Sequence, residues 1–300
     1  MIPYQPLIEN LELLAKQVVE GFIIGLHRSP FHGFSVEFAE HRLYNQGDPL
    51  RHIDWRVYGR TDKLFVKRFE EETNLRCCIV LDTSSSMHFP KEEGKYTKLQ
   101  YSCVAAASIL QLLKRQLDAA SLAVFNEDID YFSACRSSHS HYRLLTHELE
   151  NVLALNPENK KTNAAKALHQ VAEQMHKRSL IVVFSDMMDD LEHIEELFSA
   201  LQHLRYNKHE VILFHMLEGS KEVEFNFENR PYEFVDLESG ERVKLQPAQI
   251  KDQYKKDMAG FQQLIEERCH QYKIERMPVD LSQPVEQVLY SFLLKRNKLL

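Results

Sequence analysis

The segment 82–86 reads Asp-Thr-Ser-Ser-Ser, a D-x-S-x-S pattern that brings one carboxylate and two alternate hydroxyls into a short loop. A second acidic residue follows a later apolar run, and a threonine lies between the two. Oxygen atoms of carboxylates and hydroxyls are the ligands that Mg²⁺ prefers, and Mn²⁺ and Ca²⁺ are further candidates. Two acids and a few hydroxyls would leave one position of such an ion open for a ligand from outside. The predicted metal-binding residues are Asp82, Ser84, Ser86, Thr162 and Asp186.

An α/β fold would position these side chains. From residue 75 onward, apolar runs of strand length alternate with helical patterns, which is typical of βαβ units and a mostly parallel sheet. In open sheets of this kind, ligands bind beyond the carboxyl ends of the strands. If the strands that end before Asp82 and Asp186 are neighbours, the two acids face each other across that crevice. The predicted strands cover residues 75–81, 121–125, 129–135, 179–184, 210–216 and 274–279.

The pattern divides the chain into two parts. Residues 1–72 are predicted to form an amphipathic helix followed by a small β extension rich in aromatic residues, with the only tryptophan at Trp55. Residues 73–300 are predicted to form the α/β domain, with a hairpin insertion near 231–246. A long helix and a closing helix follow the hairpin.

Composition excludes several classes of function. The 300 residues carry 37 Lys and Arg against 44 Asp and Glu, a net charge of −7, which argues against a dedicated nucleic-acid binder. The sequence has only 9 glycines and contains no G-x-G-x-x-G phosphate cradle. No apolar stretch reaches the ~20 residues that cross a bilayer, so no membrane span is expected. Five cysteines without C-x-x-C spacing favour reduced thiols and a cytoplasmic location.

The D-x-S-x-S motif, the downstream threonine and the later strand-terminal aspartate together resemble the metal-ion-dependent adhesion site of von Willebrand factor A domains. A second set of residues resembles the bacterial family called domain of unknown function 58, whose members join such a segment to a von Willebrand factor A domain. These residues are Glu37-Phe38, Arg42-Leu43-Tyr44, Gly47-Asp48, Arg51, Ile53-Asp54-Trp55, Arg60-Thr61 and Glu71-Glu72.

This resemblance implies a von Willebrand factor A-like (Rossmann-like) domain and a non-enzymatic adaptor that binds a protein partner through a metal ion. The partner would supply an Asp or Glu carboxylate, and a MoxR-type AAA+ ATPase would be the companion in assembly or maturation of other proteins. The sequence departs from the family pattern at two places. Lys160 and Lys161 precede Thr162, where glycine is common, and a lysine ammonium near the carboxylates competes with a metal ion. Met187 follows Asp186, where glycine is also common.

Two other functions fit parts of the pattern. A Mg²⁺-dependent phosphohydrolase would use Asp82 as nucleophile, but Ser84 stands where such enzymes need a second acid, and a hydroxyl cannot act as a carboxylic acid near neutral pH. Alternatively, the protein is a metal-independent scaffold that binds its partner through the N-terminal extension around Trp55.

Overall fold

The computed structural model describes residues 11–23, 36–43, 55–71, 75–92, 94–154, 163–188, 194–237 and 240–298. The chain forms two compact units: Phe31–Leu75 is one, and Met1–Pro30 with Arg76–Leu300 is the other. In the smaller unit, strands β1 (Val36–Leu43) and β2 (Phe65–Glu71) pair antiparallel, and a short helix α2 (Trp55–Thr61) lies between them in the chain. The predicted β extension is thus present. Its helix was not predicted, because the aromatic and β-branched residues of this segment favour strands.

The larger unit is built on a six-stranded sheet and also contains a separate pair of strands. The strands are β3 Arg76–Asp82, β4 Ala119–Phe125, β5 Ile129–Phe132, β6 Leu180–Ser185, β7 Glu210–Leu217, β8 Tyr232–Val235, β9 Arg242–Leu245 and β10 Glu275–Asp280. The order of the sheet is β10-β7-β6-β3-β4-β5, and all neighbours are parallel except β5, which runs antiparallel to β4. Strands β8 and β9 form a separate antiparallel hairpin, as predicted near 231–246. This arrangement confirms the predicted fold class, a mostly parallel sheet flanked by helices.

Helices cover both faces of this sheet. Because side chains alternate along a strand, Cys78 and Val80 of β3 join one apolar core with the helices 164–174 and 194–206, while Ile79 and Leu81 are buried on the other face. On that other face, the helix after β3 is buried along nearly its whole length. The helices are α1 Leu11–Ile23, α3 Lys98–Arg115, α4 His139–Ala154, α5 Ala164–Gln174, α6 Ile194–Tyr206, α7 Pro247–Gln271 and α8 Val285–Lys298. None of the described helices is long and apolar enough to cross a membrane.

Helix α1 belongs with the larger unit. It contacts α3, α4 and α8, and its residues Leu11, Ala15, Val18 and Val19 are buried. The predicted boundary at residue 72 groups this helix with the β extension, whereas only residues 31–75 form the small unit. The amphipathic spacing of α1 thus serves the core of the α/β domain.

Two substitutions on α1 test this packing. Leu11→Ala is expected to lower the free energy of unfolding by roughly 2–5 kcal/mol, because the side chain of Leu11 is fully buried. Leu13→Ala is the matched control, since Leu13 is 49% exposed on the same helix and its loss should leave stability nearly unchanged. Chemical denaturation measures both. Equal effects of the two substitutions would show that α1 does not dock as described.

Candidate functional site

The two acids of the predicted site lie at the same edge of the sheet. Strand β3 pairs in parallel with β6, so that Leu81 lies opposite Phe184. Asp82 is the last residue of β3, and Asp186 directly follows β6. The neighbouring positions that the sequence analysis required of these two strands are therefore confirmed, and both carboxylates are buried.

The D-x-S-x-S loop folds around the carboxylate of Asp82. One oxygen, Oδ1, accepts the backbone N–H of Ser84 at 2.9 Å, and Oδ2 accepts the hydroxyl of Ser185 at 2.7 Å. The hydroxyl oxygens of Ser84 and Ser86 are hydrogen-bonded at 3.0 Å. The loop is fixed to the next strand because both the N–H and the hydroxyl of Thr83 donate to the carbonyl of Phe125. Three of the predicted oxygen groups thus lie together.

Burial determines the protonation of Asp82. Removal from water disfavours the charged form, and the nearby charge of Asp186 adds to this effect, so the pKa of Asp82 is raised to about 7. The hydrogen bonds from Ser84 and Ser185 act in the opposite direction but do not outweigh it. Near neutral pH, Asp82 is therefore a buried acid poised between its charged and neutral forms.

Asp186 has a different environment, because a buried lysine pairs with it. Its Oδ2 accepts the ammonium of Lys98 at 2.8 Å, and its Oδ1 accepts the N–H of Met188 at 3.1 Å. Burial alone would raise the pKa of Asp186, but the charge and hydrogen bond of Lys98 hold it below its ordinary value. The hydroxyl of Ser86 also donates to this carboxylate and lowers its pKa further. Ser86 thereby connects the loop after β3 to the end of β6.

Lys98 has a second acidic partner, Glu222. The ammonium donates to Oε1 of Glu222 at 2.5 Å, and the side chain of Lys98 is fully buried. Burial alone would lower the pKa of Lys98, but the charges of Asp186 and Glu222 raise it above its ordinary value, so the lysine stays charged. Burial raises the pKa of Glu222, although the charge of Lys98 opposes that shift.

Sequence reasoning did not identify Lys98, Glu222 or Ser185. One signal for Lys98 was available: it is the first residue of an unusually apolar helix, where the helix dipole disfavours a positive charge. Such a lysine needs an acidic partner. Glu222 lies in a short π-helical turn, Gly219–Val223, which has no periodic pattern to reveal its position.

The third predicted element of the site, Thr162, lies outside the described residues, as do Lys160 and Lys161. The helix that follows them is capped by Asn163, whose side-chain oxygen accepts the N–H of Lys166 at 2.9 Å.

Met187 shows how the chain leaves β6. Its φ angle is 53°, in the left-handed region that favours glycine. This conformation explains why glycine is common at this position in the family pattern. The side chain of Met187 is buried, and its N–H donates to the hydroxyl of Ser185 at 2.9 Å. The left-handed backbone conformation of Met187 therefore carries a cost in strain.

A neutral histidine supports the main chain of Asp186. Nε2 of His215 lies 2.9 Å from the carbonyl oxygen of Asp186, and its Nδ1 lies 3.1 Å from Nε of Arg276. Because a carbonyl only accepts and a guanidinium only donates, the proton is on Nε2. Burial and the charge of Arg276 lower the pKa of His215 to about 4, so the ring stays neutral. Glu266 pairs with Arg276 at 2.7 Å.

The donor set fits a hard divalent ion. Carboxylates of Asp82 and Asp186 and hydroxyls of Ser84 and Ser86 offer only oxygen, as Mg²⁺ requires. Among the described residues, no group of three or more His, Cys, Asp and Glu is arranged to hold a metal, so the candidate site depends on its serine hydroxyls as well as on its acids. A metal ion would be held by Asp82, Ser84 and Ser86, and Lys98 would compete with it at Asp186.

The geometry does not favour Asp82 as a nucleophile. Both of its oxygens accept hydrogen bonds, and the side chain is fully buried. A phosphohydrolase would also need a second carboxylic acid two residues after its nucleophile, and Ser84 holds that position with a hydroxyl. The phosphohydrolase interpretation therefore gains no support from this site.

Comparison with known families identifies one match. The family model described as "Protein of unknown function DUF58" matches residues 40–263, about three quarters of the chain. "Uncharacterized protein Mb1516" of Mycobacterium bovis and "Uncharacterized protein Rv1480" of Mycobacterium tuberculosis are each 32% identical to the chain over 103 residues. This stretch is 34% of the chain, and the chain spans about a third of the length of these relatives, 32% in each case.

Solved structures resemble the chain weakly. "Conserved hypothetical protein BatB" from Bacteroides thetaiotaomicron is 14% identical, with a TM-score of 0.48 over 75% of this chain and 100% of that one. The SpRpn10 VWA domain is 11% identical, with a TM-score of 0.39 over 72% of this chain and 94% of that one. At these values the likeness adds nothing about function.

The strain at Met187 is tested by two substitutions that both remove its side chain. Met187→Gly is expected to be more stable than Met187→Ala by about 1 kcal/mol, because only glycine adopts a positive φ without cost. Urea denaturation measures the difference. An alanine variant as stable as the glycine variant would contradict it.

The raised pKa of Asp82 predicts a pH dependence of stability. An acid whose folded pKa is about 7 holds a proton in the folded state that the unfolded state releases near pH 4, so its contribution to stability is lost as the pH rises through about 7. Asp82→Asn cannot titrate and should lose less stability between about pH 5 and about pH 8 than the wild type in a chelating buffer. Melting temperatures across this range measure both. Parallel profiles would show that Asp82 does not titrate there.

Proposed function

The chain belongs to the DUF58 family, proteins of unknown function, and on that premise we propose that it is a non-enzymatic interaction protein that binds a divalent metal ion. The metal ion would in turn bind an acidic side chain of a protein partner. The proposed ligands are Asp82, Ser84 and Ser86, with Thr162 and Asp186 completing or hydrogen-bonding the shell. Mg²⁺ is the first candidate, and Mn²⁺ and Ca²⁺ are the alternatives.

The observation that carries this proposal is the charge state around Asp82. Its two oxygens accept hydrogen bonds from neutral groups, the N–H of Ser84 and the hydroxyl of Ser185. The nearby cation, Lys98, is already paired with Asp186 and Glu222. A buried carboxylate beside a second carboxylate is stabilised when a cation binds to it. A divalent ion would supply that charge and would keep a coordination position for a carboxylate from outside.

The companion proposed on the family resemblance alone is a MoxR-type AAA+ ATPase, acting in assembly or maturation of other proteins in the bacterial cytoplasm. In this role the protein would hold its partner and leave nucleotide hydrolysis to the ATPase. The acidic residue that completes the metal shell would then belong to the ATPase or to the protein under assembly.

A second candidate function rests on the small unit. Trp55 is 62% exposed and contacts Tyr58 edge to face, so helix α2 presents an aromatic pair to solvent. Exposed aromatic side chains are common anchors of protein interfaces. Partner binding that persists in chelator and is lost in Trp55→Ala would favour this metal-independent scaffold over the metal-dependent adaptor.

Calorimetric titration of Mg²⁺ into the chelator-stripped chain tests the metal-dependent proposal. Saturable binding at one site is expected in the wild type and should be lost in Asp82→Ala, because the substitution removes the buried carboxylate. Asp128→Ala is the control, since Asp128 is an exposed aspartate on another loop. Absence of binding in the wild type, or equal binding in Asp82→Ala, would contradict the proposal.

A further inference from the structure

The ammonium of Lys98 is buried at the centre of the candidate site. Its side chain has no exposed surface, and it lies 2.8 Å from Asp186 and 2.5 Å from Glu222. Taking an ammonium out of water costs several kcal/mol, so a buried lysine persists only with close acidic partners. This contact therefore differs in kind from an ion pair on the protein surface, such as the one between Lys95 and Glu92.

Glu222 reaches Lys98 from the segment 218–224, which we call the strap. The strap follows β7 and contains the π-helical turn Gly219–Val223. The second oxygen of Glu222, Oε2, accepts the backbone N–H of Glu218 at 2.9 Å, so this side chain both closes the turn and binds the lysine. The strap is also tied to the loop before α3 by an ion pair between Lys221 and Glu92.

Close packing fixes the other end of the strap. A side chain at Gly219 would place its Cβ 2.5 Å from Oδ2 of Asp280, the last residue of β10. The strap therefore lies close to the sheet edge at one end and is held through Glu222 and Lys221 at the other. Its path brings a carboxylate of this chain to the same buried cation that neutralises Asp186.

The proposed function requires two groups near Asp186 that come from outside the chain: a cation and a partner's carboxylate. The chain itself supplies a cation, the ammonium of Lys98, and a carboxylate, that of Glu222. Two buried or largely buried carboxyl groups, Asp186 and Glu222, contact one ammonium, and a third, that of Asp82, lies near Asp186. Because cations repel strongly at short range in a buried site, a metal ion and Lys98 would compete for Asp186.

We propose that Lys98 and Glu222 complement the site from within the chain. The ammonium holds the place of the divalent cation at Asp186, and Glu222 holds the place of the partner's carboxylate. A metal ion gains Asp186 only when Lys98 withdraws, and the strap is then released because Glu222 loses its cation. This inference rests on the proposed function at the same site and adds a closed state to it.

Titration of Mn²⁺ into the chelator-stripped full chain tests the role of Lys98. In Lys98→Met, Mn²⁺ is expected to bind about tenfold more tightly or better than in the wild type, because a competing unit charge is removed beside the carboxylates. Lys95→Met is the matched control: it removes the same charge three residues earlier, where the lysine is half exposed and pairs with Glu92. Equal dissociation constants for Lys98→Met and the wild type would overturn the inference.

A double variant keeps the test valid if Lys98→Met does not fold. Lys98→Met/Glu222→Gln loses the ammonium together with one of its two carboxylates, so less uncompensated charge remains buried. It should also bind Mn²⁺ more tightly than the wild type, and circular dichroism confirms its fold beforehand. Binding no tighter than the wild type in this folded double variant would overturn the inference as well.

Hydrogen exchange of the backbone amides in the strap tests the role of Glu222. Glu222→Gln should accelerate exchange across 218–224, because the amide side chain no longer pairs with the ammonium. Glu224→Gln, the same change two residues later at an exposed glutamate paired with Lys255, should leave exchange as in the wild type. Unchanged exchange in Glu222→Gln would overturn the role of Glu222 in closing the site.

The two proposals fail in different ways. Binding of Mn²⁺ by Lys98→Met but not by the wild type would support the closed state and refute metal-dependent binding by the unaltered chain. Binding by the wild type with no gain in Lys98→Met would refute the closed state and leave the proposed function standing. No binding by the wild type or by either folded lysine variant would refute both.

Discussion

Asp82 and Asp186 are buried side by side at the ends of neighbouring strands, and two carboxylates in a medium of low polarity cannot both stay charged without a cation nearby. The rest of the site responds to this constraint. Lys98 keeps Asp186 ionised, and Asp82 is left with hydrogen bonds from neutral groups and a pKa near 7. Burial strengthens the attraction of these carboxylates for a cation. Without a cation, burial makes their charged forms unfavourable.

The surroundings of Asp186 show that the position of this acid is strongly constrained. The histidine–arginine pair behind it holds its carbonyl, and the left-handed turn at Met187 sets the direction of the chain after it. The hydroxyl of Ser185 bridges from Asp82 to the N–H of Met187. These contacts involve residues of four strands, β3, β6, β7 and β10, so the acid is fixed by the sheet as a whole.

The sequence predicted those features that depend on residues close together in the chain, namely the strands and the short motif after β3. Strand-length apolar runs identified all six strands of the main sheet. The D-x-S-x-S motif and the aspartate after β6 together placed four of the five predicted oxygen ligands in one region. The sequence could not reveal Glu222, because this residue meets Lys98 across 124 positions of chain and lies in a turn without a pattern.

Helix α3 begins at Lys98 and packs along its length against α1, α4 and α8. The residue that neutralises Asp186 is thus part of the first turn of the central helix on that face of the sheet. Withdrawal of the ammonium from Asp186 would therefore be easier if the first turn of α3 unwinds, because Lys98 is part of that turn. A molecule that stabilises the helical face formed by α1 and α8 would then weaken cation binding at the sheet edge, and by thermodynamic reciprocity a bound cation would loosen that face. If the proposed closed state exists, the central helix would thus link the candidate site to the packing of α1 and α8.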